Sequence, residues 1–413
     1  MDAHRLAPGA ALAEAPLARA ALAEAGATLS LVDREWDAYE LRVRGIPQSW
    51  VSLKEPRMLE YPYMQWVARM LDTAAPAGAP LRLLHLGAGA LTLPRYVAAT
   101  RPRSEQLVVE LQRDLLEALI ELLPLPAGAG VVGVAVVGGD GAGGVGAGGR
   151  RGVGRGGTGG GGTGGVGGGG TGGGTTAGGA PRESGGTGGG TTAGGAPRES
   201  AGTEAAAGGS VGAALDARGR GGPSSARGGT GLRLLFGDAR TAVEESGPQG
   251  LGPVDWAMVD LWDAATVHAR VASLEFYSEV KRSLGPGGTM VVNVLDGAGF
   301  DYARAQAATL AALFVHVAVL LDEAPTDRTP LDNVLIVARD SPLLAGRIAP
   351  GSTSKGSKSP HGANGSKGDS DDDRAYLLQG DELRSWIADA EVMTDLTATD
   401  SPPIDDPRFD GTE

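Results

Sequence analysis

The sequence predicts an α/β protein: an open, mostly parallel sheet covered by helices on both faces, preceded by a small antiparallel β-domain. Three observations predict it. Short apolar runs alternate with segments of helical period from Leu81 to Asp340. Before them, residues 28–53 alternate in strand fashion with only turns between the runs. Finally, 47 of the 70 glycines of this 413-residue chain fall between Gly128 and Gly231. The remaining 309 residues carry 23, an ordinary fraction for a folded protein. About 300 foldable residues are thus interrupted by a Gly-rich block of about 100.

Taken in order, residues 10–25 mix Glu and Arg into alanine and lack the continuous apolar stretch of a targeting signal. They predict a short exposed helix broken at Pro16, or a frayed tail. TLSLVD, YELRVRG and SWVSL, separated by REWDA and Gly45-Ile46-Pro47, predict an antiparallel meander. In 60–72, Tyr63, Trp66, Val67 and Met70 recur at helical spacing, with Pro62 placed where a first turn tolerates it. LRLLHLG (81–87) reads as a buried parallel strand, 92–102 as a helix, QLVVEL (106–111) as a second strand and 112–124 as an amphipathic helix.

After the block, strands are expected at 232–239, 256–262, 289–296, 316–323 and 333–340. Helices are expected at 239–246, 271–284 and 301–314. PTDRTPLD leaves no room for a crossover helix, so the last two strands must pair antiparallel. The expected organisation is a tail (1–27), a small β-domain and connecting helix (28–75), a core (76–127 and 232–342), the insert (128–231), a linker (343–375), and a C-terminal helix and tail (376–413).

Within the insert, Gly169–Ser184 and Gly185–Ser200 are the same 16 residues in tandem. The unit has no residue larger than Arg and buries too little apolar area to offset its ordering entropy, so disorder is expected, with the two ends returning close together. The linker is polar and Ser/Gly-rich, and its run Asp371-Asp372-Asp373 reads as solvated.

Composition removes several functions. No apolar run is long enough to span a membrane. Zero Cys excludes disulfides, thiolate metal sites and Cys nucleophiles, and no metal-ligand spacing occurs. The net charge is −13; the insert carries 8 Arg against 5 acids, which leaves about −16 on the remainder. Such a surface repels phosphate backbones and attracts cations, so nucleic acid is not an expected partner.

The chemistry is expected at one sheet edge. Gly87 and Gly89 follow the first core strand and open a helix, where small residues let a ligand approach the backbone. Glu110, ending the next strand, can take both hydroxyls of a ribose. Asp238, after Gly237, can accept an adenine amino group. A turn, a solvated strand end and a helix cap are the alternatives for these residues. Asp260 and Asp263 end the following strand as VDLWD; two carboxylates there can hold an amine and take its proton, with mutual repulsion raising one pKa. The alternative is a solvated loop with a helix cap. His85 reads as a core histidine. His268 can reach the edge, with nothing seen to orient it. Tyr61, Tyr63 and Trp66 read as core.

LRLLHLGAGALTLPRYVAATRP, QLVVELQRDLLEAL, GDAR and DWAMVDLW…SLEFYSEVKRSLGPGGTMVVNVLD together resemble spermidine synthases and their bacterial spermidine synthase-like relatives. The resemblance covers about 28–127 and 232–342. It implies a Rossmann-like class I methyltransferase core, mostly parallel with an antiparallel last strand. It also implies a decarboxylated S-adenosylmethionine donor, a small-molecule amine acceptor, no metal and a homodimer. Glu110 matches the ribose-binding acid, Asp238 the adenine-contacting acid, Asp260 the catalytic Asp and Asp263 the second acid of DxxD. Gln48 and Tyr63 match the family's Gln and Tyr near the substrates.

Departures lie on the amine side. GAGALT stands for GGGDGG, with Ala90 at the acid that would hold the donor's ammonium, and Leu59 and Gln65 replace further acids. The expected function is therefore transfer from an S-adenosyl sulfonium with a degenerate amine site. S-adenosylmethionine-dependent methyl transfer and a non-catalytic nucleotide-binding descendant are the alternatives. The expected location is cytoplasmic.

Overall fold

Pro16 opens helix α1 (Pro16–Glu24) at the position where a missing N–H leaves no hydrogen bond unmade. The computed structural model describes residues 15–126, 129–137, 230–250, 253–343, 375–406 and 409. A tail was expected up to residue 27; instead α1 buries Ala18 and Leu22 against the small sheet and a core helix. The period-3.6 placement of Ala15, Ala18 and Leu22 gives it one apolar stripe among charged residues.

Strands β1 (Ala27–Asp33), β2 (Ala38–Val43) and β3 (Ile46–Ser52) form the antiparallel meander. Helix α2 (Pro62–Ala74) leads into the core. There follow β4 (Arg82–Leu86), α3 (Thr92–Thr100), β5 (Glu105–Glu110), α4 (Arg113–Leu122) and β6 (Ala129–Val136). Past the undescribed stretch come β7 (Thr230–Phe236), α5 (Ala239–Gly250), β8 (Val254–Val259), α6 (Leu274–Ser283) and β9 (Leu284–Asp296). The chain then runs through α7 (Asp301–Leu313), β10 (His316–Leu321), β11 (Asp332–Arg339), β12 (Tyr376–Gln379) and α8 (Gly380–Trp386).

The large sheet has the order β12-β10-β11-β9-β8-β4-β5-β7-β6. Its middle is parallel from β9 to β6. As the short connection required, β10 and β11 pair antiparallel, and β11 also runs antiparallel to β9. Each face carries its own core. On β4, Leu84 and Leu86 join a cluster that includes Phe276, Val280 and Leu310, while Leu83 points oppositely, into one with Val67, Leu71 and Val97.

Two edge strands differ from expectation. β6 lies inside the segment assigned to the insert, because AGVVGVAV supplies β-branched residues at an edge where one neighbour suffices. β12 adds to β10 from the stretch assigned to the C-terminal helix and tail. The two ends of the block at 128–231 do return close together, as expected, because Gly130 pairs with Gly231. β6 and β7 are parallel, with Ala129 beside Thr230 and Val136 beside Phe236. Because β6 is part of that block, the chain beyond it leaves the sheet at the Val136 end and re-enters at Thr230, roughly 20 Å along the pair at about 3.3 Å per residue. The tandem repeat, the insert's arginines and the Asp371–Asp373 run lie outside the described residues. Among the described residues no helix is long and apolar enough to cross a membrane.

Candidate functional site

Parallel strands put their carboxyl ends on one edge, and the sheet order makes β8, β4, β5 and β7 consecutive. Backbone bonds continue the ladder past the strand ends. Gly87 N–H donates to Val109 O, Gly237 N–H to Glu110 O and Asp260 N–H to Leu86 O, each at 2.9 Å. The rim so formed lines a cavity of about 940 Å³ that reaches all eight residues singled out in the sequence: Gly87, Gly89, Glu110, Asp238, Asp260, Asp263, Gln48 and Tyr63.

The two glycines answer first to protein, not to ligand. Gly87 has φ +93°, and a Cβ there would lie 3.0 Å from the Asp260 carbonyl carbon and closer still to its oxygen. Gly89 has φ +48°, and its Cβ would meet Ser49 Oγ at 2.5 Å. Ser49 Oγ accepts the Ala90 N–H at 3.0 Å. The small sheet thus closes onto the glycine loop, helped by Thr92 Oγ1 donating to Trp50 O at 3.2 Å. Ser49 was not singled out in the sequence. Only its neighbour Gln48 carried a signal.

Glu110 spends part of each carboxylate oxygen on backbone: Oε2 accepts Ala88 N–H at 2.9 Å and Oε1 accepts Gln112 N–H at 2.8 Å. Burial raises its pKa, opposed by these N–H donors. Asp238 does cap α5, taking the Thr241 N–H at 2.8 Å and the Thr241 hydroxyl at 2.7 Å. Its Oδ1 also meets Arg270 Nη2 at 2.8 Å. Burial raises the Asp238 pKa, but Arg270 and Thr241 outweigh it and bring the group to about 2. Cap and cavity wall are therefore both true of this residue.

Asp260 and Asp263 do not act as the repelling pair that was expected. Asp260 Oδ1 accepts Trp262 Nε1–H at 2.6 Å and Asn293 Nδ2–H at 2.9 Å, while its Oδ2 has no partner among the described residues. Burial raises its pKa. Asp263 is held by Arg44 Nη1 at 3.1 Å and stands 3.6 Å from His268 Nε2. His268, expected to be unoriented, faces Asp400 Oδ2 at 3.2 Å through Nδ1. The C-terminal stretch behind that carboxylate is pinned by Val267 N–H donating to Ser401 Oγ at 2.9 Å. Nothing local in the sequence pairs residue 268 with residue 400.

Gln48 Nε2–H donates to Ala264 O at 2.7 Å, tying the small sheet to the loop after β8. Tyr63 is buried and stacks on Tyr61 with ring centroids 6.2 Å apart; both line the cavity, while Trp66 is core as expected. Burial and the neighbouring Asp260 raise the Tyr63 pKa. His85, read as core, also lines the cavity. Among the described residues no cluster of His, Asp or Glu could hold a metal ion.

The chain is similar in structure to a probable spermidine synthase from Corynebacterium glutamicum. That match has a TM-score of 0.54 and 18% identity, and covers 91% of this chain and 95% of that one. At this identity the likeness is one of fold, and the chain has that spermidine synthase-like fold. Looser matches include human methyltransferase-like protein 13 in complex with SAH (TM-score 0.36, 13% identity, 69% of this chain and 86% of that one). Another is the spermidine synthase from Thermotoga maritima (TM-score 0.36, 11% identity, 73% and 66%). No family model matches the chain, and no curated protein sequence does.

Proposed function

We propose that this chain is a transferase acting on an S-adenosyl sulfonium donor, moving its aminopropyl group to a small amine. One observation carries the reading: a buried carboxylate, Asp260, presents an unpartnered Oδ2 in the same cavity as a strand-end Gly loop and the strand-end acid Glu110. Glu110 would hold the ribose hydroxyls with the lone pairs that Ala88 and Gln112 leave free. Asp238 and Arg270 would border the base. The cavity volume is of the order that accommodates a nucleoside and an acceptor together.

In the proposed step the amine nitrogen forms a bond to the methylene carbon beside the sulfonium. The C–S bond breaks with its electron pair going to sulfur, and methylthioadenosine departs. Asp260 takes the proton the nitrogen loses. A carboxylate with a raised pKa suits this role, since a base works best when its pKa approaches the operating pH. Trp262 and Asn293 hold Oδ1, so Oδ2 is the oxygen offered to substrate.

Methyl transfer from intact S-adenosylmethionine is the second reading, and Ala90 favours it. This residue is buried in the glycine loop, where an acid would reward the ammonium of the decarboxylated donor. Calorimetry with S-adenosylmethionine, its decarboxylated form and methylthioadenosine separates the readings. Tighter binding of the decarboxylated donor supports aminopropyl transfer, tighter binding of the intact one supports methyl transfer, and binding of none refutes both.

A further inference from the structure

The middle of a parallel strand buried on both faces calls for an aliphatic residue. His85 holds that place in β4, 2% exposed, between Leu84 and Leu86. Its surroundings fix both its charge and its tautomer. Pro94 O can only accept, so the Gln106 amide turns its NH₂ there at 3.1 Å. Gln106 Oε1 therefore faces His85 Nε2 at 3.0 Å, and Nε2 must carry the hydrogen. Burial lowers the His85 pKa to about 4, so the ring is neutral near neutral pH. Nδ1 is left as a bare acceptor with no partner among the described residues. The imidazole lines the cavity on the sheet face, as do Met258, its register neighbour on β8, and Asp260 two residues beyond.

Asn293 behaves alike. It is 2% exposed, and its Nδ2 donates to Asp260 Oδ1 at 2.9 Å and to Asn333 Oδ1 at 3.1 Å. Its Oδ1 is buried without a partner among the described residues. The unspent hydrogen-bonding capacity of Asp260, Asn293 and His85 thus consists of acceptors: one carboxylate oxygen, one amide oxygen and one imidazole nitrogen. A buried acceptor left unmade costs stability unless something fills it. An occupant matched to such a floor offers hydrogen-bond donors.

We propose that His85 is a specificity-determining residue on the acceptor side, its Nδ1 taking a hydrogen bond from an N–H or O–H group on the tail of the amine whose reacting nitrogen lies against Asp260. This rests on the amine-transfer reading above. It also adds to it. A neutral imidazole can accept from a hydroxyl as well as from an ammonium, so the second donor need not be charged.

The test uses the full chain saturated with methylthioadenosine and three probes of matched length: 1,4-diaminobutane, 4-amino-1-butanol and n-pentylamine. Calorimetry is expected to rank the first two above pentylamine, which has a methyl group where the others carry a donor. In His85→Leu their affinities should fall by roughly 10-fold or more while that of pentylamine holds or rises. His85→Asn, which keeps an acceptor, should recover part of the ranking. Should the Leu variant fail to fold, nitrogen-15 NMR of the unaltered protein decides: the Nδ1 resonance is expected to move upfield with diaminobutane or aminobutanol and to stay with pentylamine. Equal shifts for all three, no shift, no amine binding, or an unchanged ranking in His85→Leu would overturn the role. The donor reading fails separately, by absence of methylthioadenosine binding, and the NMR titration can be run without the nucleoside.

Discussion

Gly87→Ala tests whether the glycine after β4 serves the Asp260 backbone. Two costs add. A residue with a side chain held at φ +93° loses about 1–2 kcal/mol in the left-handed region. The new Cβ must also displace the Asp260 carbonyl, whose carbon it would approach to 3.0 Å, an overpacking cost of about 1–3 kcal/mol. The sum is about 2–5 kcal/mol, equivalent to a melting-temperature loss of roughly 3–9 °C for a fold of this size. Gly45→Ala supplies the control. Its φ is +83° and nothing lies within 4 Å of a Cβ, so only the backbone cost applies. Thermal and denaturant unfolding of both variants should show Gly87→Ala as the more destabilised by the overpacking difference. Equal losses would refute the claim that close approach of Asp260 demands a glycine.

Four further outcomes follow from the same geometry. Asp260→Asn should lower turnover by roughly 10²–10⁴-fold while methylthioadenosine affinity measured by calorimetry is retained, because the residue is proposed to move a proton and not to hold the nucleoside. Glu110→Gln should weaken nucleoside binding. In the parent protein that binding should begin to fade, as pH is lowered, at a higher pH than an ordinary carboxylate would give, because burial raises the Glu110 pKa. Arg270→Gln should shift acid unfolding to higher pH: the Asp238 contribution is complete above its ordinary 3.8 and is lost as pH falls through about 2, and this depression depends on Arg270. Ser49→Ala should cost about 1–3 kcal/mol in denaturant unfolding, since it strands the buried Ala90 N–H.

The layered sheet and the placement of its strands were legible because short continuous apolar runs give way to segments of period 3.6, with Gly or Pro at several joints. The rim residues were legible because parallel strands align their ends, which turns a sequence position into a spatial one. What escaped has identifiable physical causes. β6 was hidden by composition: a Gly-Val strand at a sheet edge looks locally like the low-complexity tract that follows it. His85 was read as a satisfied core residue, and half of that is correct. Its Nε2 is satisfied by Gln106, 21 positions away, but which face of β4 meets a cavity is decided by the approach of α2 and α3. The Asp400–His268 pair and the four carbonyls bound by buried Arg101 (Leu71, Ala75, Pro76 and Ala79) join segments with no shared local pattern.

The small sheet is better understood as part of the site than as an appendage. Among the described residues, three hydrogen bonds tie β3 to the glycine loop, α3 and the loop after β8. Ser49 accepts from Ala90, Trp50 O accepts from Thr92, and Gln48 donates to Ala264 O. The first two fix the glycine loop and the first turn of α3; the third fixes the loop carrying Asp263. Arg44 adds an ion pair to that same loop. Gly87 is packed on Asp260, and Gly89 on Ser49. β3 therefore braces both the glycine loop and the loop after β8, the two segments that flank the Asp260 carboxylate. The same coupling explains why a Gly-x-Gly pattern is weak evidence for a ligand when read alone: the Asp260 backbone and the Ser49 side chain already require the two glycines. What gives the pattern functional weight is the company the fold places around it, namely Glu110 at the next strand end and a carboxylate oxygen of Asp260 that no group among the described residues claims.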